Sequence, residues 1–554
     1  MIEERLVSLL AHAAVAAAPE LGGADPPARI ELSRPPDKRF GDFFTNLALV
    51  WASQLKRNPR EVADAIVRHL PQADFVERAE VAGGGFVNLF VTDSWLYDVL
   101  RQAVTQRYGW AEPTGQRVQV EYVSVNPTGP LHVGHARNAV IGDALASVLE
   151  ASGSNVQREY YLNDYGRQME LFGMSVEARY LQHFGRPAEI PEGGYRGEYV
   201  AEMAAEIAAR HGDSLLDAPD RQERLLEEGY ALALAGIRAT LDRIGIRFDT
   251  WFSERDLHAT GAVADAVKRL RSEGHAYESE GAIYFRATQF GDEKDRVLIR
   301  SNGEPTYFAA DCAYLLNKFE RGFDLLIYVW GADHHGTVKR LKGVARAFGF
   351  DPERVEFLLM QLVTLSRGGE PVRLSKRAGD IVTLDELLDE AGPDAARYTL
   401  LTRSHDSQME FDIELATRQA NENPVFYVQY AHARIASILR HAEELGVALR
   451  PVDEARLDLL THETELELLR KVAELPNEIR QAADFRAPHR LTHYVEDFAA
   501  QFHRFYGECR VVSDDDELTQ ARLWLCRAAK EVVAGVLGLL GVSAPEAMER
   551  REEG

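Results

Sequence analysis

Cysteine is scarce in this sequence. Only three occur among the 554 residues: Cys312, Cys509 and Cys526. No two of them form a Cys-x-x-Cys pair, and disulfide-stapled domains and zinc ribbons both depend on closely spaced cysteines. The sequence therefore predicts neither a disulfide framework nor a structural zinc site.

Hydrophobic runs of membrane-spanning length, about 20 consecutive apolar residues, are also missing. Residues 1–20 are rich in alanine, but Glu3, Glu4 and Arg5 come first and the apolar residues recur at helical spacing. This pattern is typical of an amphipathic helix and differs from a secretory signal. We therefore expect no membrane partner and a cytoplasmic location.

Positive charge is in deficit. The chain has 63 Lys and Arg against 87 Asp and Glu, a net charge of −24. This balance argues against indiscriminate binding to nucleic acids, although local basic patches can still bind phosphate groups. Any RNA binding should therefore be confined to such patches and be sensitive to salt.

A phosphate-binding P-loop is absent as well. Residues 82–90 contain three consecutive glycines, but neither the lysine nor the helix of a P-loop follows them. We interpret this segment as a tight turn that leads into a short strand. The length of the chain predicts three or more domains.

The most informative stretch runs from Glu121 to His135. Apolar residues from Val118 to Val123 predict a buried strand, the turn Asn126-Pro-Thr-Gly-Pro130 follows, and helical spacing returns further on. The motif His132-Val-Gly-His135 therefore lies where a strand leads into a helix N-terminus, a position that favours phosphate. Gly134 leaves room for a flat base. A metal site is an alternative, but no third ligand stands nearby at zincin spacing.

A second segment, Arg373-Leu-Ser-Lys-Arg377, strengthens the nucleotide interpretation. It follows a predicted strand from Phe357 to Leu365 and lies in a loop with several glycines. Its cationic side chains suit the charge that develops on an α-phosphate during adenylyl transfer. Together and in this order, the two segments resemble the two signatures of class I aminoacyl-tRNA synthetases. Here Lys376 is present, while the first two signature positions are Arg373 and Leu374.

Alternating strands and helices surround these segments. Asn155 to Leu162 reads as a second strand, and Leu325 to Trp330 as a central parallel strand that ends in Gly331-Ala-Asp-His-His-Gly336. Helical, charged sequence interrupts the alternation from about 175 to roughly 250. Strands at Ala282–Phe285 and Val297–Ile299 are expected to resume it, and the insertion is given the bounds of about 175–300. Helices are predicted to open at Pro305–Asp311 and after Gly336, and Thr383-Leu-Asp-Glu386 has the spacing of a capping box. Within the insertion, we expect Tyr195 and Tyr199 to pack.

The flanking regions narrow the resemblance to bacterial-type arginyl-tRNA synthetases. Gly41-Asp-Phe-Phe-Thr-Asn46 resembles their N-terminal domain, and the helical sequence after 393, with Asn423-Pro-Val-Phe-Tyr-Val-Gln-Tyr-Ala-His-Ala-Arg434, resembles their anticodon-binding domain. The expected fold is α/β: a Rossmann-like parallel-sheet catalytic domain (111–392) with an insertion, a small α+β N-terminal domain (1–110) and an all-α C-terminal domain (393–554). The expected tRNA contacts are Lys38, Arg39, Phe40, Tyr430 and Arg434.

The resemblance implies the reaction and its partners. L-Arginine and Mg²⁺-bound ATP would form arginyl-adenylate and pyrophosphate, and tRNA(Arg) would then accept the arginyl group with release of AMP. The metal would stay with the nucleotide, so no permanently protein-bound metal is expected. His132, His135 and Lys376 would be catalytic. The expected ATP-binding residues are His132, Gly134, His135, Asp333, His334, His335, Ser375, Lys376 and Arg377. Family resemblance favours a monomer.

A guanidinium pocket needs carboxylates and other acceptors. The candidates for arginine binding are Glu121 and Asn126 beside the first motif, with Tyr307 and Asp311 one helical turn apart. By resemblance, Asp311 would bind the guanidinium and Tyr307 would lie beside it, while the division of roles between Glu121 and Asn126 stays open.

Three other functions are compatible with parts of this pattern. They are a class I synthetase for another amino acid, a smaller adenylyltransferase, and an inactive paralogue that binds RNA.

Overall fold

The structure is a computed structural model that describes residues 2–104, 107–372 and 382–548. The chain divides into two compact units. One comprises Met1–Tyr108, Ile435–Pro476 and Ala500–Val532, and the other comprises Gly109–Arg434, Asn477–Ala499 and Val533–Gly554. Among the described residues, no helix combines the length and the apolar character needed to cross a membrane.

Strands and helices are interspersed as far as β15, and only helices follow it among the described residues. The strands are β1 (Leu32–Ser33), β2 (Phe43–Thr45), β3 (Val76–Ala82), β4 (Phe86–Val91), β5 (Arg117–Glu121), β6 (Asn155–Leu162), β7 (Thr250–Ser253), β8 (Ala276–Ser279), β9 (Ala282–Phe285), β10 (Arg296–Ile299), β11 (Leu325–Gly331), β12 (Val355–Met360), β13 (Val363–Arg367), β14 (Glu370–Pro371) and β15 (Met409–Asp412). The helices are α1 (Ile2–Ala17), α2 (Leu47–Leu55), α3 (Pro59–Arg68), α4 (Ser94–Ala103), α5 (Val133–Ala151), α6 (Arg167–His183), α7 (Glu198–His211), α8 (Arg221–Arg243), α9 (Glu254–Ala259), α10 (Ala262–Ser272), α11 (Tyr307–Glu320), α12 (His335–Ala347), α13 (Leu384–Ala391), α14 (Pro393–Leu401), α15 (Ile413–Thr417), α16 (Pro424–Glu444), α17 (Glu463–Asp484), α18 (His489–Glu508) and α19 (Asp516–Leu539).

The N-terminal segment is α+β, as predicted. Its four strands form an antiparallel sheet in the order β1-β2-β4-β3. The three glycines after β3 form the turn of the β3–β4 hairpin, where Gly83 and Gly85 have φ angles of 54° and 129°. These angles lie in the region that favours glycine. The segment is therefore a tight turn.

A five-stranded parallel sheet is the centre of the second unit. Its order is β12-β11-β5-β6-β7, and all four neighbouring pairs are parallel. Five successive residues of β11 are buried, as expected for a central strand with helices on both faces. Helices α5 and α12 follow the neighbouring strands β5 and β11. The predicted Rossmann-like sheet is thus confirmed.

Two sequence-based expectations about the insertion are wrong. The strands at Ala282–Phe285 and Val297–Ile299 do not resume the parallel alternation, because β8, β9 and β10 form a separate antiparallel sheet. The short strand Thr250–Ser253, which sequence patterns placed within the insertion, instead pairs with β6 as the fifth strand of the parallel sheet. Short apolar segments carry no signal for their pairing partner, which depends on distant residues.

Helices α6, α7 and α8 between β6 and β7 have an apolar core of their own. Phe172, Val176, Val200, Ile207 and Leu225 are fully buried in it. Apolar residues recur at helical spacing along each of these helices, which allows three helices to share one core.

The region around the second signature also differs from expectation in two respects. The single strand expected from Phe357 to Leu365 is divided between β12 and β13. Beyond residue 393, where no strand is expected, β15 pairs in parallel with β13. The capping box at Thr383 and Glu386 is confirmed, with reciprocal hydrogen bonds of 3.2 and 2.8 Å.

Candidate active site

The turn after β5 is strained and held in place from two sides. Val123 and Ser124 have φ angles of 66° and 44°, in a left-handed region that costs energy for a β-branched residue. Asn138 of α5 accepts a hydrogen bond from the Val123 N–H at 2.7 Å and donates one to the Val329 carbonyl of β11 at 2.7 Å. The Tyr160 hydroxyl of β6 donates to the Val125 carbonyl at 3.0 Å. These bonds fix the backbone that leads to the first signature, and no sequence pattern pointed to them.

His132 and His135 lie together at the start of α5. Their rings stack with centroids 3.5 Å apart, and the His132 N–H donates to His135 Nδ1 at 3.3 Å. Burial lowers the pKa of both imidazoles, that of His135 to about 3. Both rings are therefore neutral near pH 7. Because Nδ1 of His135 accepts a hydrogen bond, its proton is on Nε2, and this N–H is a donor for a ligand.

A cavity of about 290 Å³ opens beside the two histidines. Its lining combines the turn after β5, the first signature, one residue of the insertion and the residue that caps α13. The lining residues are Val125, Asn126, Thr128, Gly129, Pro130, His132, His135, Tyr199 and Thr383. A Cβ atom at Gly134 would lie 2.8 Å from the His132 ring, so this glycine allows the ring its position. Asn126 lines the cavity and donates a hydrogen bond to the Gln168 side chain.

The chain that follows the second signature is hydrogen-bonded to the first. His132 and Thr383 form an antiparallel bridge, with Val133 N–H donating to Val382 O at 3.2 Å and Leu384 N–H donating to Leu131 O at 2.8 Å. Ser375, Lys376 and Arg377 themselves lie outside the described residues. Their predicted roles therefore stay predictions.

A fully buried arginine of α5 fixes the strand region that leads to the second signature. The Arg137 guanidinium donates to the carbonyls of Ser404 and Ser407, both at 2.7 Å, and to that of Gln361 at 3.2 Å. Gln361 joins β12 to β13, and the two serines precede β15, which pairs with β13. Helix α5 thus contacts both flanks of the second signature.

The predicted ATP-binding cluster after β11 lies at the expected edge of the sheet. His334 and His335 are exposed at the carboxyl end of β11, next to the carboxyl end of β5. Strand order reverses between β5 and β11, the position where open α/β sheets bind ligands. The Trp330 ring lies 5.2 Å from that of His334. The Asp333 side chain lies outside the described residues.

Asp311 and Tyr307 lie on the first two turns of α11. Thr306 caps this helix by accepting a hydrogen bond from the Ala309 N–H, and the two side chains are four residues apart, on one face. Tyr307 is half exposed, with its hydroxyl beside Gly166. Asp311 is half-buried, and burial together with the nearby charge of Glu121 raises its pKa to about 7.

Glu121 and its neighbour on β6 already have cationic partners. The Lys318 ammonium, fully buried, donates to Glu121 at 2.5 Å and lies over the rings of Tyr314 and Tyr328. On β6, Arg321 donates two hydrogen bonds to buried Glu159, at 2.6 and 2.8 Å. Glu121 is thus an ion-pair partner of Lys318, a contact between distant residues that no local sequence pattern indicated.

Glu254 is an acid of this region that sequence reasoning missed. It follows β7, is 3% exposed and accepts a hydrogen bond from Tyr161. Burial and the charge of Asp311 raise its pKa to about 7. Burial and, after it, the charges of Glu254, Asp311 and Glu121 raise the pKa of Tyr161. Only the pairing of β7 with the sheet brings Glu254 here.

Among the described residues, neither Asp311 nor Glu254 forms an ion pair with a lysine or an arginine. The nearest cation to Asp311 is Arg340, which weakly opposes the rise in its pKa, and Arg340 itself lies 3.5 Å from Asp292. His258 is 3.7 Å from Glu254, but burial lowers the pKa of this imidazole and keeps it neutral. An acid withdrawn from water without a cationic partner is costly to ionise, so a cationic ligand would stabilise the ionised forms of both side chains.

The predicted tRNA contacts lie on partly exposed surfaces. Phe40 is 53% exposed, while the Arg39 guanidinium is already hydrogen-bonded to Asp37 at 2.6 and 2.8 Å. The Lys38 side chain lies outside the described residues. On α16, Arg434 donates to the Tyr430 hydroxyl at 3.0 Å, and both are partly exposed.

Three family models together match nearly the whole chain. The model for the catalytic domain of class I (R) tRNA synthetases matches residues 97–435. The model for the N-terminal domain of arginyl-tRNA synthetases matches residues 4–91, and the DALR anticodon-binding domain matches residues 428–548.

Curated relatives and a solved structure agree with these matches. The chain is 49% identical to an arginine–tRNA ligase from Heliobacterium modesticaldum over 535 residues, 95% of each chain. It is 51% identical to that of Moorella thermoacetica over 93% of each chain. The arginyl-tRNA synthetase of Thermus thermophilus superposes with a TM-score of 0.75 at 25% identity, covering 99% of this chain and all of that one. This chain therefore belongs to the arginyl-tRNA synthetases, class I enzymes that use ATP to attach arginine to tRNA.

Proposed function

We propose that Asp311 and Glu254 bind the guanidinium of L-arginine in the ATP-dependent arginylation of tRNA(Arg), which proceeds through arginyl-adenylate. One observation carries this assignment: Glu254 is buried and Asp311 half-buried, neither has a lysine or arginine partner among the described residues, and their pKa values are raised to about 7. A guanidinium offers five N–H donors and a delocalised charge, which match two carboxylates and the Tyr307 and Tyr161 hydroxyls.

The other end of arginine would face the cavity beside the first signature. Asn126 lies on that cavity, and Glu121 lies at the end of β5, where its charge faces Asp311. In this arrangement Asn126 binds the α-amino or carboxylate end of the substrate. The Glu121 carboxylate, which its ion pair with Lys318 holds in position, contributes negative charge near the substrate.

ATP would bind between the two signatures. The neutral imidazoles of His132 and His135 donate hydrogen bonds to phosphate oxygens at the N-terminus of α5, where backbone N–H groups add their dipoles. Lys376 compensates the charge that develops on the α-phosphorus when the arginine carboxylate attacks and pyrophosphate leaves. Gly134, Asp333, His334, His335, Ser375 and Arg377 complete the nucleotide site.

Mg²⁺ prefers oxygen ligands. The described residues that line the cavity supply amide, hydroxyl and imidazole groups without a carboxylate, so the phosphates of ATP would provide the ligands. When bound, the ion neutralises phosphate charge.

The remaining assignments concern tRNA and the setting of the reaction. Lys38, Arg39, Phe40, Tyr430 and Arg434 contact tRNA, and the chain has functional domains at 1–110, 111–392 and 393–554. The exposure of Phe40 and the partial exposure of Tyr430 support these contacts. The enzyme acts as a monomer in the cytoplasm.

Charging of unfractionated tRNA with each amino acid separately, in the presence of ATP and Mg²⁺, tests the proposed function. We expect acid-precipitable product with arginine alone, because a pocket with two carboxylates rejects substrates that lack a cation at that distance. Charging with another amino acid would contradict the assignment of the pocket. Binding of tRNA without any charging would indicate an inactive paralogue.

The affinity for arginine should increase with pH between about 6 and 8. Asp311 and Glu254, with pKa values of about 7, are largely protonated below this range and must lose protons to bind a guanidinium. Binding therefore releases protons and strengthens as the pH rises. Calorimetry in two buffers of different ionisation enthalpy measures this release, and the KM for arginine over the same range gives a second readout. If binding of arginine releases almost no protons at any pH in this range and the KM for arginine stays constant, the prediction is contradicted.

A further inference from the structure

The insertion contributes one side chain to the cavity beside the first signature. Tyr199 is the second residue of α7 and is half-buried. Tyr195, four residues earlier, packs edge-on against Phe172 at 5.6 Å, within the apolar core of the insertion. Both tyrosines pack against that core, as expected, but Tyr199 also lines the cavity and Tyr195 does not.

Tyr199 lies directly against the turn that precedes the histidines. A Cβ atom at Gly129 would lie 3.0 Å from both Cζ and the hydroxyl oxygen of Tyr199. That distance is tighter than ordinary van der Waals contact, so the phenol end of the ring occupies the space that the glycine leaves free. The Tyr199 hydroxyl is thus held at the wall of the cavity, against Gly129, which precedes His132 by three residues.

The Tyr199 hydroxyl is available to bond a ligand. Among the residues that the structure describes, none forms a hydrogen bond with it. Burial raises the pKa of Tyr199 to about 12, so the group is a neutral O–H donor throughout the physiological range. It shares the cavity with His132 and His135, which are neutral donors as well.

A cavity with three neutral donors at a helix N-terminus suits anionic oxygen. The carboxylates that suit the arginine side chain lie elsewhere, on α11 and after β7. We propose that Tyr199 is a substrate-contacting residue of the synthetase, whose hydroxyl donates a hydrogen bond to a phosphate oxygen of ATP. The insertion then completes the nucleotide site. This inference rests on the ATP site proposed above.

Removal of the hydroxyl alone tests the inference. Tyr199→Phe keeps the ring on Gly129, and we expect kcat/KM for ATP in arginine-dependent ATP–pyrophosphate exchange to fall about tenfold, as for the loss of one hydrogen bond. The KM for arginine should stay within about twofold of the wild-type value. The assay contains tRNA, so that activation is measured whether or not it depends on tRNA.

Tyr195→Phe is the matched control, because it removes a phenol oxygen from the same insertion away from the cavity. It should leave kcat/KM for ATP within about twofold of the wild-type value. Tyr199→Ala separates packing from contact. If Tyr199→Phe retains wild-type kcat/KM for ATP while Tyr199→Ala lowers only the Tm, the residue packs and the inference is overturned. A rise confined to the KM for arginine in Tyr199→Phe overturns it too. The wild-type enzyme is assayed alongside, so that absence of its ATP–pyrophosphate exchange would contradict the proposed ATP site itself and not the role of Tyr199 alone.

Discussion

An Asp311→Asn enzyme is expected to require about 100 times more arginine for half-maximal exchange than the wild type. Truncation of one partner in a buried, hydrogen-bonded charge pair typically costs 2–5 kcal/mol, and about 2.7 kcal/mol corresponds to a factor of 100. The substitution keeps the shape of the side chain but removes the charge that a guanidinium requires. The KM for ATP should stay within about twofold, because Asp311 lies on α11, outside the cavity beside the histidines.

The control for this variant is Asp265→Asn, which neutralises an exposed acid in the first turn of α10. It should leave the arginine KM unchanged and so exclude an effect of net charge. Glu254→Gln should resemble Asp311→Asn, since both carboxylates share the ligand. An unchanged arginine KM in Asp311→Asn would refute the assignment of the guanidinium pocket.

The second large effect is expected for His132→Ala. This change removes a neutral donor at the N-terminus of α5 and the stacking partner of His135. Loss of one preorganised donor to charge developing in a transition state typically lowers kcat by about 10²–10³-fold. Pyrophosphate exchange should therefore become nearly undetectable, while arginine still binds in calorimetry because the carboxylates are intact.

His183→Ala is the matched control, because His183 is an exposed imidazole near the end of α6. Exchange by that variant should equal the wild-type rate. Circular dichroism and thermal unfolding of both variants establish that the fold is retained. Exchange at the wild-type rate by His132→Ala would remove the first signature from the mechanism.

Local sequence patterns were sufficient for the elements that surround the signatures. The bounds of β6 and the starts of α11 and α12 followed from apolar periodicity and flanking turn residues. The capping box at Thr383 was readable for the same reason: helix starts depend on residues within one turn of each other. The alternation of strands and helices then predicted that the first signature and His334 would meet at one edge of the sheet, as they do.

Pairing between distant segments was not readable in this way. β7 has four residues, and their pattern fits an irregular connection as well as a strand, so its place beside β6 and the arrival of Glu254 at the site were missed. The left-handed φ of Val123 was equally hidden, because hydrogen bonds from α5 and β6 stabilise it. Neither the pairing of β7 nor the φ angle of Val123 can be read from the residues of its own segment.

The sequence by itself determined the family, the order of the two signatures and the parallel sheet, since each depends on residues close together in the chain. Only the tertiary structure decided which acids have cationic partners. Glu121 is paired with Lys318, 197 residues away, whereas Asp311 and Glu254 form no ion pair with a lysine or arginine among the described residues. The reason is physical: the charge state of a buried carboxylate depends on burial and on neighbours in space, and folding sets both.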